Sequence, residues 1–366
     1  MQPMLFLLNQ ICKKSIFAVN GYQMEENKDI TIYDIAKKLN LATSTISRAL
    51  KDHHTISAKT IKKVKEACAE LGYRPNSLAA GLRSNKTQTI GVLVPTIDQP
   101  FLSSLISGIE TTAKKSGYNI LITQSGDSYQ EEINMTQALY ASRISGIICS
   151  LGMETRDTAH FMPFIDAKIP LVFVDRVPND IDTYRVIIDN YAAGYKATKH
   201  LIDQGCKRIA HFYAGGEFGT LFSERKRGYL DALKAHNLPI EEDLIIKLEL
   251  LVFAEGIKAT NKLLDMKNPP DGIFSSVDIT AISAIQCAKK RGVKIPEELA
   301  IIGFNDDPIS SIIDPGLSTI SHPAFKMGQI SAEKILNHLL SPKKDNIKEV
   351  TYLNTEVIIR ESTKRN

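Results

Sequence analysis

Between residues 89 and 304, short apolar runs recur with helix-like stretches between them, and this alternation narrows the fold more than any other feature. The runs are TIGVLV (89–94), YNILIT (118–123), GIICS (146–150), PLVFVD (170–175), RIAHFY (208–213), GIFSS (272–276) and AIIGF (300–304). Consecutive apolar and β-branched positions suit strands buried on both faces. The stretches between them, roughly 102–116, 130–142, 190–204, 223–236, 255–264 and 278–291, place apolar residues at helical spacing. Strands joined by helical crossovers make a parallel α/β sheet. So many units over about 275 residues divide better into two sheets than one. Ligands gather beyond the carboxyl ends of such strands, so the polar residues there are the site candidates.

Ahead of this region the texture differs. In TIYDIAKKLNLATSTISRAL (31–50), Ile32, Ile35, Ala36 and Leu39 form one apolar helical face, and Ile46, Ala49 and Leu50 a second. Thr31 with Asp34 reads as a capping box, and Asn40-Leu41-Ala42 leaves room only for a turn. The second helix turns Thr43, Ser44, Thr45, Ser47 and Arg48 outward. Short hydrogen-bonding groups and one guanidinium suit phosphates and base edges in a major groove; a plain helical hairpin is the alternative. Ser57 is expected to cap a third helix that runs to about Leu71 and stops at Gly72, with Lys59, Lys62, Lys63 and Lys65 outward. His53 and His54, in the loop before it, read as solvated. Residues 30–88 hold 11 Lys/Arg against 4 Asp/Glu, whereas residues 89–366 hold 31 against 34. A basic head on a slightly acidic body points to a polyanion partner at one end only.

The linker PNSLAAGLRSNK (75–86), which includes Asn76, has helical potential weakened by Gly81. Leu82 has no evident core there. Either it packs on the adjoining domain or the linker folds on DNA and wedges it into the minor groove.

Other classes are less favoured. MQPMLFLLNQ lacks a preceding basic region and a following A-x-A-like site, so no signal peptide is expected. Residues 1–29 read as a disordered or mis-assigned extension, and a translation start at Met24 would make the first 23 residues an artefact of start assignment. No apolar run approaches the ~20 residues that span a bilayer, so no membrane partner is expected. Cys12, Cys68, Cys149, Cys206 and Cys287 are far apart and read as apolar fillers in a reducing compartment, not disulfides or zinc ligands. No metal or cofactor is expected. G-x-G-x-x-G after the first strand, a Walker motif and G-x-S-x-G are all missing, and the glycines at 215, 216 and 219 are too loose to cradle phosphate. An enzyme is therefore not expected, and the basic head disfavours a secreted solute-binding protein.

The head, the stretch ISAKTIKKVKEACAELGYRPNSLAAGLRSNKTQTIGVLVP and later segments such as VIIDNYAAGYKATKHLIDQG, GVKIPEELAIIGFNDDP and LSTISHP resemble the lactose/galactose-repressor family of bacterial transcription regulators. The resemblance covers residues 30–363. It implies an α/β protein with a small all-α helix-turn-helix head and a two-lobed core of parallel sheets like periplasmic binding proteins. The implied divisions are a head at 30–74, a hinge helix at 75–87 and a core at 88–366. Within the core, one lobe takes about 88–189 and 322–349, the other about 190–321 and 350–363. It also implies a cytoplasmic, nucleoid-associated homodimer on a palindromic double-stranded DNA operator, with a small effector between the lobes setting DNA affinity. Thr43 and Ser44 fall where the family reads base edges, Thr45, Ser47 and Arg48 where it meets backbone and neighbouring bases. Asn76 lies in the hinge, and Leu82 falls on the wedge leucine. Ala42 stands where the family usually has Ser, which leaves that helix-capping role vacant or shifts it to Thr43. Gln99, Phe101, Asp175, Asp189, Arg225, Asp278 and Asn305 are the implied effector residues. Carboxylates, an arginine, an amide and a ring suit a polyhydroxylated ligand, so a sugar is expected; a purine-type co-repressor is the alternative. With no leucine heptad after Glu361, a dimer is expected and not a tetramer.

Overall fold

A computed structural model describes residues 30–50, 52–73, 87–215, 220–340 and 349–365. Two compact units lie within Met1–Ala80 and Gly81–Asn366. Asn76, Leu82 and Cys12 fall outside the described residues.

The first unit contains α1 (Ile32–Leu39), α2 (Thr43–Leu50) and α3 (Ala58–Leu71). Asp34 closes the cap of α1 by accepting from the Thr31 backbone N–H at 2.8 Å and its hydroxyl at 2.7 Å. Asn40 ends the helix with a left-handed φ of 53°, a conformation asparagine tolerates, and the chain turns at once into α2. Ser57 caps α3 by accepting from the Thr60 N–H at 3.2 Å. Ile35, Ala36, Ile46, Ala49, Val64 and Cys68 meet in one small core. The helical periodicities thus converge on a single apolar centre, the minimum for a stable three-helix unit.

The second unit has two lobes. The first holds β1 (Thr89–Val94), α4 (Pro100–Lys115), β2 (Asn119–Gln124), α5 (Tyr129–Ala141), β3 (Gly146–Cys149), α6 (Met162–Asp166), β4 (Leu171–Val174) and β5 (Tyr184–Ile188). The chain then crosses to α7 (Asn190–Asp203), β6 (Ile209–Ala214), α8 (Thr220–Ala235), β7 (Ile245–Leu248), α9 (Phe253–Leu264), β8 (Gly272–Ser275), α10 (Asp278–Lys290), β9 (Ala300–Asn305) and β10 (Ser318–Ser321). It returns for α11 (Ala324–Leu340) and β11 (Val350–Leu353), and crosses last to β12 (Val357–Ile358). The sheets run β11-β5-β4-β3-β1-β2 and β12-β10-β9-β8-β6-β7. Every pairing is parallel except that of β12 with β10.

One boundary differs from the sequence reading, which gives all of 350–363 to the second lobe. Val350 to Leu353 pair with Arg185 to Ile188 in the first sheet. Thr351 and Leu353 turn inward there, covering the edge of β5; the second lobe gains the chain only from Val357.

In each lobe one helix pair is in reciprocal glycine-to-backbone contact among the described residues. In the first, a Cβ on Gly108 of α4 would stand 2.1 Å from the Phe325 carbonyl oxygen of α11, and one on Gly328 2.1 Å from that of Leu105. In the second, Gly194 of α7 and Gly228 of α8 stand in the same reciprocal relation, 2.2 Å from the carbonyl oxygens of Arg225 and Tyr191. Only glycine fits these crossings.

Cys68, Cys149, Cys206 and Cys287 are free and buried. Burial pushes the Cys206 thiol up to about 12, which suits a packing role. No helix among the described residues is long and apolar enough to cross a membrane.

Candidate functional site

A cavity of about 360 Å³ opens at the carboxyl ends of the strands of both sheets. The first lobe supplies Asp98 to Leu102, after β1 and into α4, and Asp175 and Arg176 after β4. The second supplies Leu221, Phe222 and Arg225 of α8, Leu251 to Phe253 after β7, Val277 and Ile279 after β8, Asn305 at the end of β9, and Asp307 and Ile309 after it. His322, on the crossing after β10, completes the lining.

Arg225 is 2% exposed and held from three sides. Its Nε donates to Asn190 Oδ1 at 2.9 Å and its Nη1 to the Ser276 carbonyl at 2.8 Å. The guanidinium carbon lies 3.5 Å from the ring centre of Phe304, which is core and carries the cation on its face. Nη2 has no hydrogen bond among the described residues. Burial lowers the Arg225 pKa to about 9, against the pull of Asp175 and with the push of Arg176.

Burial raises the Asp175 carboxyl, opposed by Arg176 and Arg225. Its φ is +62° and that of Asn305 +116°. Such backbone costs about 1–3 kcal/mol per residue and concentrates where position matters. His322 Nδ1 stands 3.2 Å from Asn305 Oδ1, and its ring centre 4.1 Å from that of Phe101. Burial, then Arg225, hold this imidazole well below its usual pKa, so it is neutral.

Gln99, Phe101, Asp175, Arg225 and Asn305 thus line one cavity, as the sequence reading expects of effector residues. Two others do not. Asp189 is exposed and caps α7, its Oδ1 accepting from the Ala192 N–H at 2.8 Å. Asp278 is buried behind the cavity, accepting from the Thr319 hydroxyl and the Asp307 N–H at 2.7 Å each. Both sit at strand ends, but their carboxylates turn back to satisfy backbone and hydroxyl donors of the fold. His322, Asp307 and the apolar groups of 221–222 and 251–253 escaped the sequence reading. The polar residue after the last strand of a lobe, in SHP, was the available signal for His322.

Burial raises Asp278 to about 6, above the ~3.9 of a free aspartate. The folded state therefore holds this proton longer than the unfolded state. Its contribution to stability is fully present below about pH 4, falls as pH rises to about 6, and is level above. Asp278→Asn mimics the protonated form. It should gain on the wild type by up to about 3 kcal/mol between pH 4 and 7, read as the difference in melting temperature at each pH. A pH-independent difference would show that Asp278 ionises normally.

In the first unit, Ile46 and Ala49 of α2 are buried, while Ser44 and Arg48 are exposed and Thr43, Thr45 and Ser47 half-buried. Arg48 makes no ion pair among the described residues, nor do Lys59 and Lys63. Lys65 is tied to Asp52 at 2.6 Å and Lys38 to Glu70 at 2.7 Å. Among the described residues, no group of His, Cys, Asp and Glu is arranged to hold a metal ion.

A compact three-helix unit with a polar, basic helix face, joined in one chain to a two-lobed ligand-binding core, is the architecture of a DNA-binding transcription regulator. Residues 31–76 match the bacterial regulatory proteins of the lacI family, and residues 198–363 the periplasmic binding protein-like domain. The NTD biosynthesis operon regulator NtdR of Bacillus subtilis is 34% identical, over 91% of this chain and 99% of its own. The transcriptional repressor CytR of Escherichia coli is 33% identical over 91% and 96%. The lac repressor dimer bound to operator and an anti-inducer shares the fold, with a TM-score of 0.81 at 23% identity over 92% of this chain and 99% of that one. A lacI-family regulator of Enterococcus faecium with bound ribose has a TM-score of 0.65 at 27% identity, over 75% and 98%. The chain belongs to the lacI family of bacterial transcription regulators, and is a regulator rather than an enzyme.

Proposed function

We propose that the protein is a homodimeric, cytoplasmic repressor that binds a palindromic operator through α2 and is controlled by a sugar held in the cavity of the core. The observation that carries the sugar reading is the convergence of Asp175, Arg225, Asn305 and Gln99 with the Phe101 ring on one cavity between the strand ends of two lobes. Carboxylate, guanidinium and amide groups bind neighbouring hydroxyls in pairs, and the ring covers the apolar face of a pyranose or furanose. The ribose complex of the Enterococcus faecium regulator supports the class. DNA affinity then follows from the difference in effector affinity between two states of the dimer.

The test is thermal unfolding of the full chain with sugars, sugar phosphates and purines. A ligand at ~100 times its Kd stabilises by about 2.7 kcal/mol, a shift of several degrees. A sugar hit that also changes operator affinity is the expected result; a purine hit would replace the sugar by a co-repressor.

In the DNA-binding head, Thr43, Ser44, Thr45, Ser47 and Arg48 are the proposed contacts. Arg48→Ala should weaken specific operator binding by roughly 5- to 150-fold, the worth of about 1–3 kcal/mol for a good arginine contact. Effector binding to the core should be unaltered. Fluorescence anisotropy with a labelled operator reads this directly, and an unchanged affinity removes Arg48 from the interface.

A further inference from the structure

The charges of the cavity do not balance. Asp98, Asp175 and Asp307 face Arg176 and Arg225, but Arg176 is already paired with Asp127 outside the lining. One cation therefore remains for three carboxyls. The Asp98 carboxyl is held by the Thr96 hydroxyl. That of Asp307 has no hydrogen bond or ion pair among the described residues; only its backbone N–H is engaged, donating to Asp278, while Arg360 pairs with the adjacent Asp306.

A second, independent mismatch lies at His322. Its side chain is 1% exposed, and Nε2 is buried without a hydrogen-bond partner. Asn305 Oδ1 beside Nδ1 assigns the proton to that nitrogen and leaves Nε2 as an acceptor. Asp175 Oδ1 stands 3.6 Å away, a second acceptor beyond hydrogen-bond reach. Two buried acceptors facing each other are satisfied together by a donor that carries more than one hydrogen.

We infer that the effector carries a primary amine, protonated at neutral pH, that docks on the acceptors Asp175, His322 and Asp307. This deepens the sugar reading, on which it rests: the ligand is an amino sugar, not a neutral sugar or a sugar phosphate. A phosphate would add negative charge to a cavity already rich in carboxyls. An ammonium supplies three donors and a compact charge. It would also relieve Asp307, whose carboxyl burial and then Asp278 and Asp306 push up to about 7.

The experiment is calorimetric titration of the full chain with D-glucosamine, D-galactosamine and D-mannosamine. Each is set against its hydroxyl parent and its N-acetyl derivative, with glucose 6-phosphate alongside. At least one amine should bind ten times or more tighter than both congeners, about 1.4 kcal/mol. Asp307→Asn and Asp175→Asn should each bring that ratio toward one. A hydroxyl parent or a phosphate binding as tightly as the amine overturns the inference and leaves the sugar reading intact. If no sugar of any kind binds, the sugar reading fails and the inference falls with it.

Discussion

Arg225→Ala should abolish the response to effector while the core stays folded. The guanidinium is oriented by Asn190 and Ser276 and backed by Phe304, and its Nη2 has no hydrogen bond among the described residues. A hydrogen bond to a charged group contributes about 1.5–3 kcal/mol. Two such bonds to a bound sugar amount to a loss of roughly 100-fold or more in affinity. The fold should survive because Arg225 makes no ion pair among the described residues and its burial alone is unfavourable. Calorimetric titration with the identified effector, alongside a melting curve, separates the two effects. An unchanged dose response in a folded variant would place the ligand elsewhere.

Gly194→Val carries the second large effect. The ideal Cβ already stands 2.2 Å from the Arg225 carbonyl and 2.8 Å from its Cα, so α7 and α8 must separate. Overpacking of this kind costs about 1–3 kcal/mol, occasionally more; with backbone on the far side, the upper end is expected. The core melting temperature should fall by about 6–12 °C, at roughly 2–4 °C per kcal/mol for a domain of this size. Effector affinity should fall with it, because Asn190 lies on one of the separating helices and Arg225 on the other. A variant that keeps the wild-type melting temperature would mean the helices can shift without loss of packing.

Local signals in the chain were strong where one physical cause dominates. Thr31 and Asp34 announced a cap because that geometry needs only neighbours in sequence. TIGVLV read as β1 to the residue, because a strand buried on both faces leaves no alternation to misread. Asp175 and Arg225 were traceable by resemblance, and they do line one cavity. Rotation of a side chain about a strand end was not traceable. Asp189 directly follows β5 as Asp175 follows β4, and Asp278 opens α10 after β8, yet one serves the Ala192 N–H and the other the Thr319 hydroxyl. Nor was β11, whose place beside β5 depends on a pairing between residues more than 160 positions apart. His322 joins the cavity only because the chain crosses between lobes there.

The two glycine crossings have a consequence for redesign. Gly108 with Gly328 and Gly194 with Gly228 set the spacing of helices whose ends carry Phe101, Asn190 and Arg225. The loops at 251–253 and 305–309 lie outside both crossings and present part of the surface of the cavity. Transplanting those loops between relatives should therefore alter the contribution of Asn305 and Asp307 to ligand preference, with the glycine-paired helices kept as a fixed chassis. Grafts that cut through a crossing would bring mismatched helix spacings, and with them an arginine aimed at the wrong place.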